Sequence, residues 1–209
     1  MKKLFLLMLT LFCFSSFCFA EEIGVKSGFD FKKSREETIK HNYLTYLDLI
    51  METRKVKVKL EKKKEEKRQI EAIEKIIAMS NPTIKEEDKK KFIRSIIRWS
   101  DFYNLEAVYV ASVIHRESNF RNNFIDNGMY GPMQINVRAH MKKLQKYNYT
   151  SQDIKRINPS VRLGCEILRE YIDKTGCKFN ALYRYVGSKN AHYYVRDVKR
   201  VYLSYSVKQ

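Results

Sequence analysis

A chain of 209 residues with 41 Lys and Arg against 24 Asp and Glu carries a formal charge of +17, and its length suits one domain plus an appendage. Such an excess directs the protein to an anionic partner by raising the encounter rate. Nucleic acid is the usual partner of a basic protein, but the first residues make it the poorer choice.

"MKK" followed by "LFLLMLTLFCFSSFCFA" has the basic start, short apolar middle and small-residue end of a secretory signal peptide, residues 1–20, cut before Glu21. A retained membrane anchor is the alternative, although the run is short for a span of about 20 residues. Cys13 and Cys18 each follow a phenylalanine, unlike a lipidation signal. Export removes Lys2 and Lys3, leaving 39 basic against 24 acidic residues, a formal +15. An exported basic protein points to wall polymer or membrane surface, in the periplasm or against the cell wall, and not to nucleic acid. No stable membrane span is expected after cleavage.

Residues 21–80 form a charged arm. From Phe31 to Met79 there is neither glycine nor proline, and Leu44, Leu47, Ile50 and Met51, then Ile70, Ile73, Ile76 and Ile77, fall at helical spacing. The intervening "KVKVKL" alternates as an edge strand would, yet helix on both sides favours one long helix or a helical hairpin. With no sustained heptad, the arm is amphipathic and not a coiled coil. Its charge fits a solvated face, or a surface that docks on anionic polymer or on a protein machine of the cell envelope.

"SNPT" at Ser80 to Thr83 marks the boundary to a domain over residues 81–209. Thr83 and Glu86 have the spacing of a capping box, and Phe92, Ile93, Ile96, Ile97 and Trp99 make one apolar face. A turn near Tyr103 and Asn104 leads to a helix from about Glu106. Downstream, Asn158-Pro159 is expected to cap the next helix, Val161, Cys165, Leu168 and Ile172 make its stripe, and Gly176 ends it. A short helix around Asn180 to Tyr185 and a last one from about Ala191 complete the chain. No strand pairs are expected, only a glycine-bearing loop between Asn122 and Gln134. Cys165 and Cys177 are expected unpaired, because the helix between them holds them beyond the roughly 7 Å that a disulfide bridges. None of the four histidines is spaced to activate either thiol.

On the helix from Glu106, Val110, Val113, Ile114 and Glu117 occupy i, i+3, i+4 and i+7, so the glutamate continues an apolar stripe. Burial raises a carboxyl pKa, the tuning that a general acid needs near neutral pH. The plainer alternative is a helix-end glutamate in solvent or paired with Arg121. No metal-ligand or phosphate-binding pattern surrounds it, and no cofactor is expected.

At these residues the sequence resembles the lytic transglycosylases of the soluble-transglycosylase, lysozyme-like superfamily, over roughly Thr83 to Tyr205. "IIRWSDFYNLEAVYVASVIHRESNF" looks like the family's two opening helices ending in Glu-Ser, and "YGPMQIN" like its Gly-Leu-Met-Gln-Ile segment. "NPSVRLGCEILREYI", "ALYRYVGS" and "YYVRDV" are similar to its later helix, its Ala-Leu-x-x-Tyr-Asn segment and its closing Tyr-Val-x-x-Val. The resemblance implies an all-α, lysozyme-like transglycosylase domain acting on peptidoglycan glycan strands, with Glu117 as the one acid/base. It would cleave the β-1,4 bond between N-acetylmuramic acid and N-acetylglucosamine and form a 1,6-anhydro ring. By position, Ser118, Met133 and Gln134 would line the sugar cleft, and Tyr185 and Tyr194 would position substrate or glutamate. Core packing is the alternative for Met133 and for both tyrosines. Pro132 and Val186 depart from the usual leucine and asparagine, and Val186 removes an amide near the cleft. Asp126, the one acid between Glu117 and Gln134, would make the enzyme a lysozyme-type hydrolase if it activated water, though beside Asn127-Gly128 it reads as a turn residue. A non-catalytic wall-binding protein is the reading from another class.

Overall fold

The computed structural model describes residues 31–188 and 191–206; the expected signal peptide lies outside them. Helix α1, Phe31–Ser80, is continuous, so "KVKVKL" is helical. It ends where Asn81 precedes Pro82, a pair that disfavours helical backbone. Within the unit ending at Val56, α1 leaves Ile39, Tyr43, Leu44, Tyr46, Leu47 and Leu49 exposed. The second unit begins at Lys57 and runs to Gln209. It takes in the last turns of α1, because Ala72, Ile73, Ile76 and Ile77 are buried in its core. Helix α1 ends at Ser80, and the compact unit that begins at Lys57 includes its last turns.

Helix α2 spans Glu86–Phe102 and buries Phe92, Ser95, Ile96 and Trp99. Its N-cap is Lys85, with no side-chain capping bond, so the expected Thr83–Glu86 box does not form: the Thr83 hydroxyl turns to the Asn81 side chain, at 3.4 Å. Glu86, Glu87 and Asp88 in the first turn serve the helix start by charge instead. Helix α3, Ala107–Ser118, is buried on all sides from Ala107 to Ile114, which makes it the central helix of the unit.

After α3 the chain forms a three-stranded antiparallel sheet of β1 (Ile125–Asp126), β2 (Met129–Tyr130) and β3 (Ile135–Asn136), in that order. This corrects the expectation of a strandless loop. Two residues per strand are too few for an alternating pattern, but Asn127 and Gly128 between β1 and β2 have φ of 46° and 78°, the tight hairpin turn that Asn-Gly favours. Gly131 has φ of +74°, and a Cβ there would lie 1.9 Å from the Ile154 carbonyl oxygen.

Short helices α4 (Met141–Lys146) and α5 (Ser151–Lys155) follow, the latter with a capping box between Thr150 and Asp153. Helix α6, Ile157–Thr175, starts earlier than expected: Arg156 is the N-cap, and Asn158 and Pro159 sit within the first turn. Proline is tolerated there because those backbone N–H groups have no helical partner. The Asn158 side chain accepts a bond from Trp99 Nε1 at 2.8 Å instead of capping. Val161, Cys165 and Leu168 are buried as their stripe predicts, and Gly176 caps the helix at φ of +68°. Helices α7 (Lys178–Val186) and α8 (Ala191–Tyr205) close the fold. Helix α8 packs along α3, and α7 packs between α6 and α8. Cys165 is buried, Cys177 is half-buried, and both are unpaired. No helix among the described residues is long and apolar enough to cross a membrane.

Candidate active site

Glu117 sits in the last turn of α3, one turn beyond Val113 and Ile114, both fully buried. The residue keeps some accessible surface, yet protein surrounds most of its carboxyl. Burial pushes its pKa up from 4.5 to about 7, against the hydrogen bond from Tyr194 and the charge of Arg116, which lower it. Tyr194, in the first turn of α8, donates its hydroxyl to Glu117 Oε1 at 2.6 Å. Arg116 lies 5.6 Å from the Tyr194 ring centroid and 3.6 Å from Asp197, so the charge beside the glutamate is itself held by α8.

Tyr185, near the end of α7, donates to the Met133 carbonyl at 2.8 Å. Its pKa is raised by burial and then by the nearby charge of Glu117, as is that of Tyr194. Both hydroxyls are therefore protonated donors at neutral pH. The tyrosines are half-buried or buried on their helix faces, so core packing and polar contact coexist in them.

The remaining residues expected at the site are less open. Ser118 is buried, and its hydroxyl donates back to the Ile114 carbonyl at 3.3 Å. Met133 is fully buried and packs on Gly164, where a Cβ would come within 2.3 Å of its sulfur. What Met133 offers the site is its carbonyl, the acceptor for Tyr185. Gln134, half-buried with φ of 48°, donates from Nε2 to the Gly131 carbonyl at 2.8 Å. Asp126 is exposed on the β1–β2 hairpin. Pro132 is buried beside Met133, and Val186 is half-buried before Gly187, which ends α7 at φ of 59°.

Sequence reasoning did not find the exit of α3. Asn119 and Phe120 both have positive φ, 50° and 55°, unusual for a residue as bulky as phenylalanine. The buried Phe120 ring, edge-on to Phe92 at 5.2 Å, holds that turn. Arg121 reinforces it by donating from Nε to the Ser118 carbonyl at 2.9 Å. A separate cleft of about 390 Å³ opens at the other end of α3, lined by Glu106, Tyr109 and Lys178 among others; Glu117 is not among its lining residues.

A central helix with a largely enclosed glutamate of raised pKa in its last turn, a small sheet beside it and flanking helices that present tyrosines define a lysozyme-like domain. The chain belongs to the transglycosylase SLT domain family, whose pattern matches residues 94–200. Membership brings a lytic-transglycosylase type of activity on peptidoglycan, and with that substrate an extracytoplasmic place of action. No curated protein and no solved structure matches the chain.

Proposed function

We propose that the protein is a peptidoglycan lytic transglycosylase, a carbon–oxygen lyase that cleaves the β-1,4 bond from N-acetylmuramic acid to N-acetylglucosamine with Glu117 as its one acid/base. The observation that carries this reading is the Glu117 carboxyl, held by Tyr194 at 2.6 Å and with its pKa raised to about 7. At neutral pH such a group is available in both forms. The protonated form gives its proton to the glycosidic oxygen. The carboxylate then takes the proton of the muramic 6-hydroxyl, whose oxygen attacks the anomeric carbon and closes the 1,6-anhydro ring. No water enters, so a second carboxylate is not required, unlike most glycoside hydrolysis.

In this account Tyr194 orients Glu117, and Tyr185 fixes the Met133–Gln134 segment through the Met133 carbonyl. Gln134 borders the sugar subsite, Ser118, buried and bonded back to the Ile114 carbonyl, stiffens the helix end beside Glu117, and Val186, lacking the usual amide, alters rate or preference and not the reaction type. The assignment is tested by soluble muropeptide release from purified wall sacculi. The intact protein is expected to release them and Glu117→Gln to lose at least a hundredfold in rate, within the range typical of general acid–base groups. Release by Glu117→Gln at the intact rate sinks the assignment.

Export fits the same reading: residues 1–20 are removed, and the enzyme works in the periplasm or at the wall. The arm over residues 21–80, with apolar side chains exposed between Ile39 and Leu60 and many Lys and Arg, holds the domain over 81–209 at anionic wall polymer or docks it on an envelope protein machine. Unchanged wall binding and unchanged pull-down partners after deletion of residues 21–56 contradict that role.

A further inference from the structure

Residues 57–81 precede the family match, which begins at 94, yet the end of α1 reaches the catalytic helix. Ser80 Oγ donates to the Ile76 carbonyl at 2.5 Å and lies 2.7 Å from His115 Nδ1. A hydroxyl has one proton to give. With that proton on Ile76, Ser80 accepts, and Nδ1 of His115 must carry the hydrogen. The pKa of His115 is lowered, first by burial and then by Arg116 and Arg200, which fits a neutral ring with its proton on Nδ1.

The next residue makes a second contact. Asn81 Nδ2 donates to the Phe120 carbonyl at 3.4 Å. His115 and Phe120 stand on either side of Glu117, one before it in α3 and one in the turn of positive φ after it. Both contacts arise from a rigid base, since Ile73, Ile76 and Ile77 of the same helix end are buried to within about 1%. Lys89 of α2 lies 3.7 Å from Glu74, and the Tyr205 hydroxyl of α8 lies 3.7 Å from the Met79 sulfur, which tie this helix end to two further elements.

We propose that Ser80 and Asn81 are positioning residues: the end of α1 clamps the catalytic helix on both sides of Glu117, through His115 and Phe120, and keeps its carboxyl at Tyr194. The inference rests on the reading of Glu117 as acid/base. Neither residue touches the reacting atoms; each acts through the backbone and ring that carry them.

The test uses the full chain with Ser80→Ala, Asn81→Leu, which keeps roughly the volume, adds no charge and removes the amide donor, and Ser80→Thr. Thermal melting establishes that each is folded. Turnover and KM are read on soluble glycan strands, and the Glu117 carboxyl is titrated by carbon-13 NMR. Ser80→Ala and Asn81→Leu are each expected to lower kcat about tenfold, in line with the cost of slight misplacement of a catalytic group, with KM unchanged. In both, the Glu117 midpoint moves away from that of the intact protein as the carboxyl leaves Tyr194 and meets water, and Ser80→Thr restores both values. Folded variants with unchanged kcat and an unchanged Glu117 midpoint overturn the clamp, as does a loss that only follows the folded fraction. If the intact protein releases nothing, the transglycosylase reading fails, while the titration still decides whether the clamp positions Glu117.

Discussion

The Tyr194 hydroxyl and Glu117 Oε1 meet at 2.6 Å although 77 positions separate them in the chain. The bond joins α8 to the end of α3 and sets two properties at once. It orients the carboxyl, and by donating to the charged form it restrains the rise in pKa that burial imposes.

Tyr194→Phe removes that donor and leaves the ring. The Glu117 pKa is then expected to climb above about 7, because burial acts without its counterweight. The pH–rate profile of muropeptide release reads this directly: its alkaline limb, where the acid form is lost, moves to higher pH. Turnover falls about tenfold through loss of orientation. A limb that stays in place or moves to lower pH contradicts the role given to the hydroxyl.

The same raised pKa predicts a stability effect. Folded Glu117 binds its proton more tightly than the unfolded chain does, so its contribution is most favourable below pH 4.5 and is lost as pH rises toward 7. The full loss is about 3 kcal/mol. Glu117→Gln does not titrate. Denaturant unfolding is expected to show the glutamine variant gaining on the intact protein between pH 4.5 and 7, with no further change above. A constant difference across that window contradicts it.

Gly131→Ala tests the turn that presents Met133 and Gln134. Its φ of +74° disfavours a side chain, and a Cβ would collide with the Ile154 backbone at 1.9 Å. Backbone cannot yield as a flexible side chain does, so a loss of about 3 kcal/mol or more is expected, read as a lowered melting temperature. Gly128→Ala, at the open hairpin where a Cβ meets nothing within 4 Å, is the milder control.

Truncation distinguishes the two halves of α1. A chain beginning at Lys57 keeps Ile73, Ile76 and Ile77 in the core and is expected to melt at the temperature of the intact protein. A chain beginning at Asn81 loses all three, each comparable to a large buried truncation of about 2–5 kcal/mol, and is expected not to fold. Equal melting of the two chains contradicts the place given to α1 in the core.

Much of this arrangement was legible because it is periodic. The stripe of Val110, Val113 and Ile114 ran on to Glu117, whereas Tyr185 and Tyr194 entered only through the family resemblance. The misses arise where tertiary contacts override local chemistry. Thr83 had the right partner at the right spacing for a capping box, but its hydroxyl turned to Asn81. Asn158 had the capping side chain, but Trp99 took it. Met133 packs into space that Gly164 leaves 31 positions away, and no local pattern discloses that. Nor does spacing alone show that Ser80 and Asn81 reach His115 and Phe120 across the fold.

The most direct measurement is mass spectrometry of the products released from purified wall sacculi by the intact protein and by Glu117→Gln. Muropeptides ending in 1,6-anhydro-N-acetylmuramic acid, absent with the variant, are the predicted result. Reducing ends, made by entry of water, contradict it and turn attention to Asp126 as the group that activates that water.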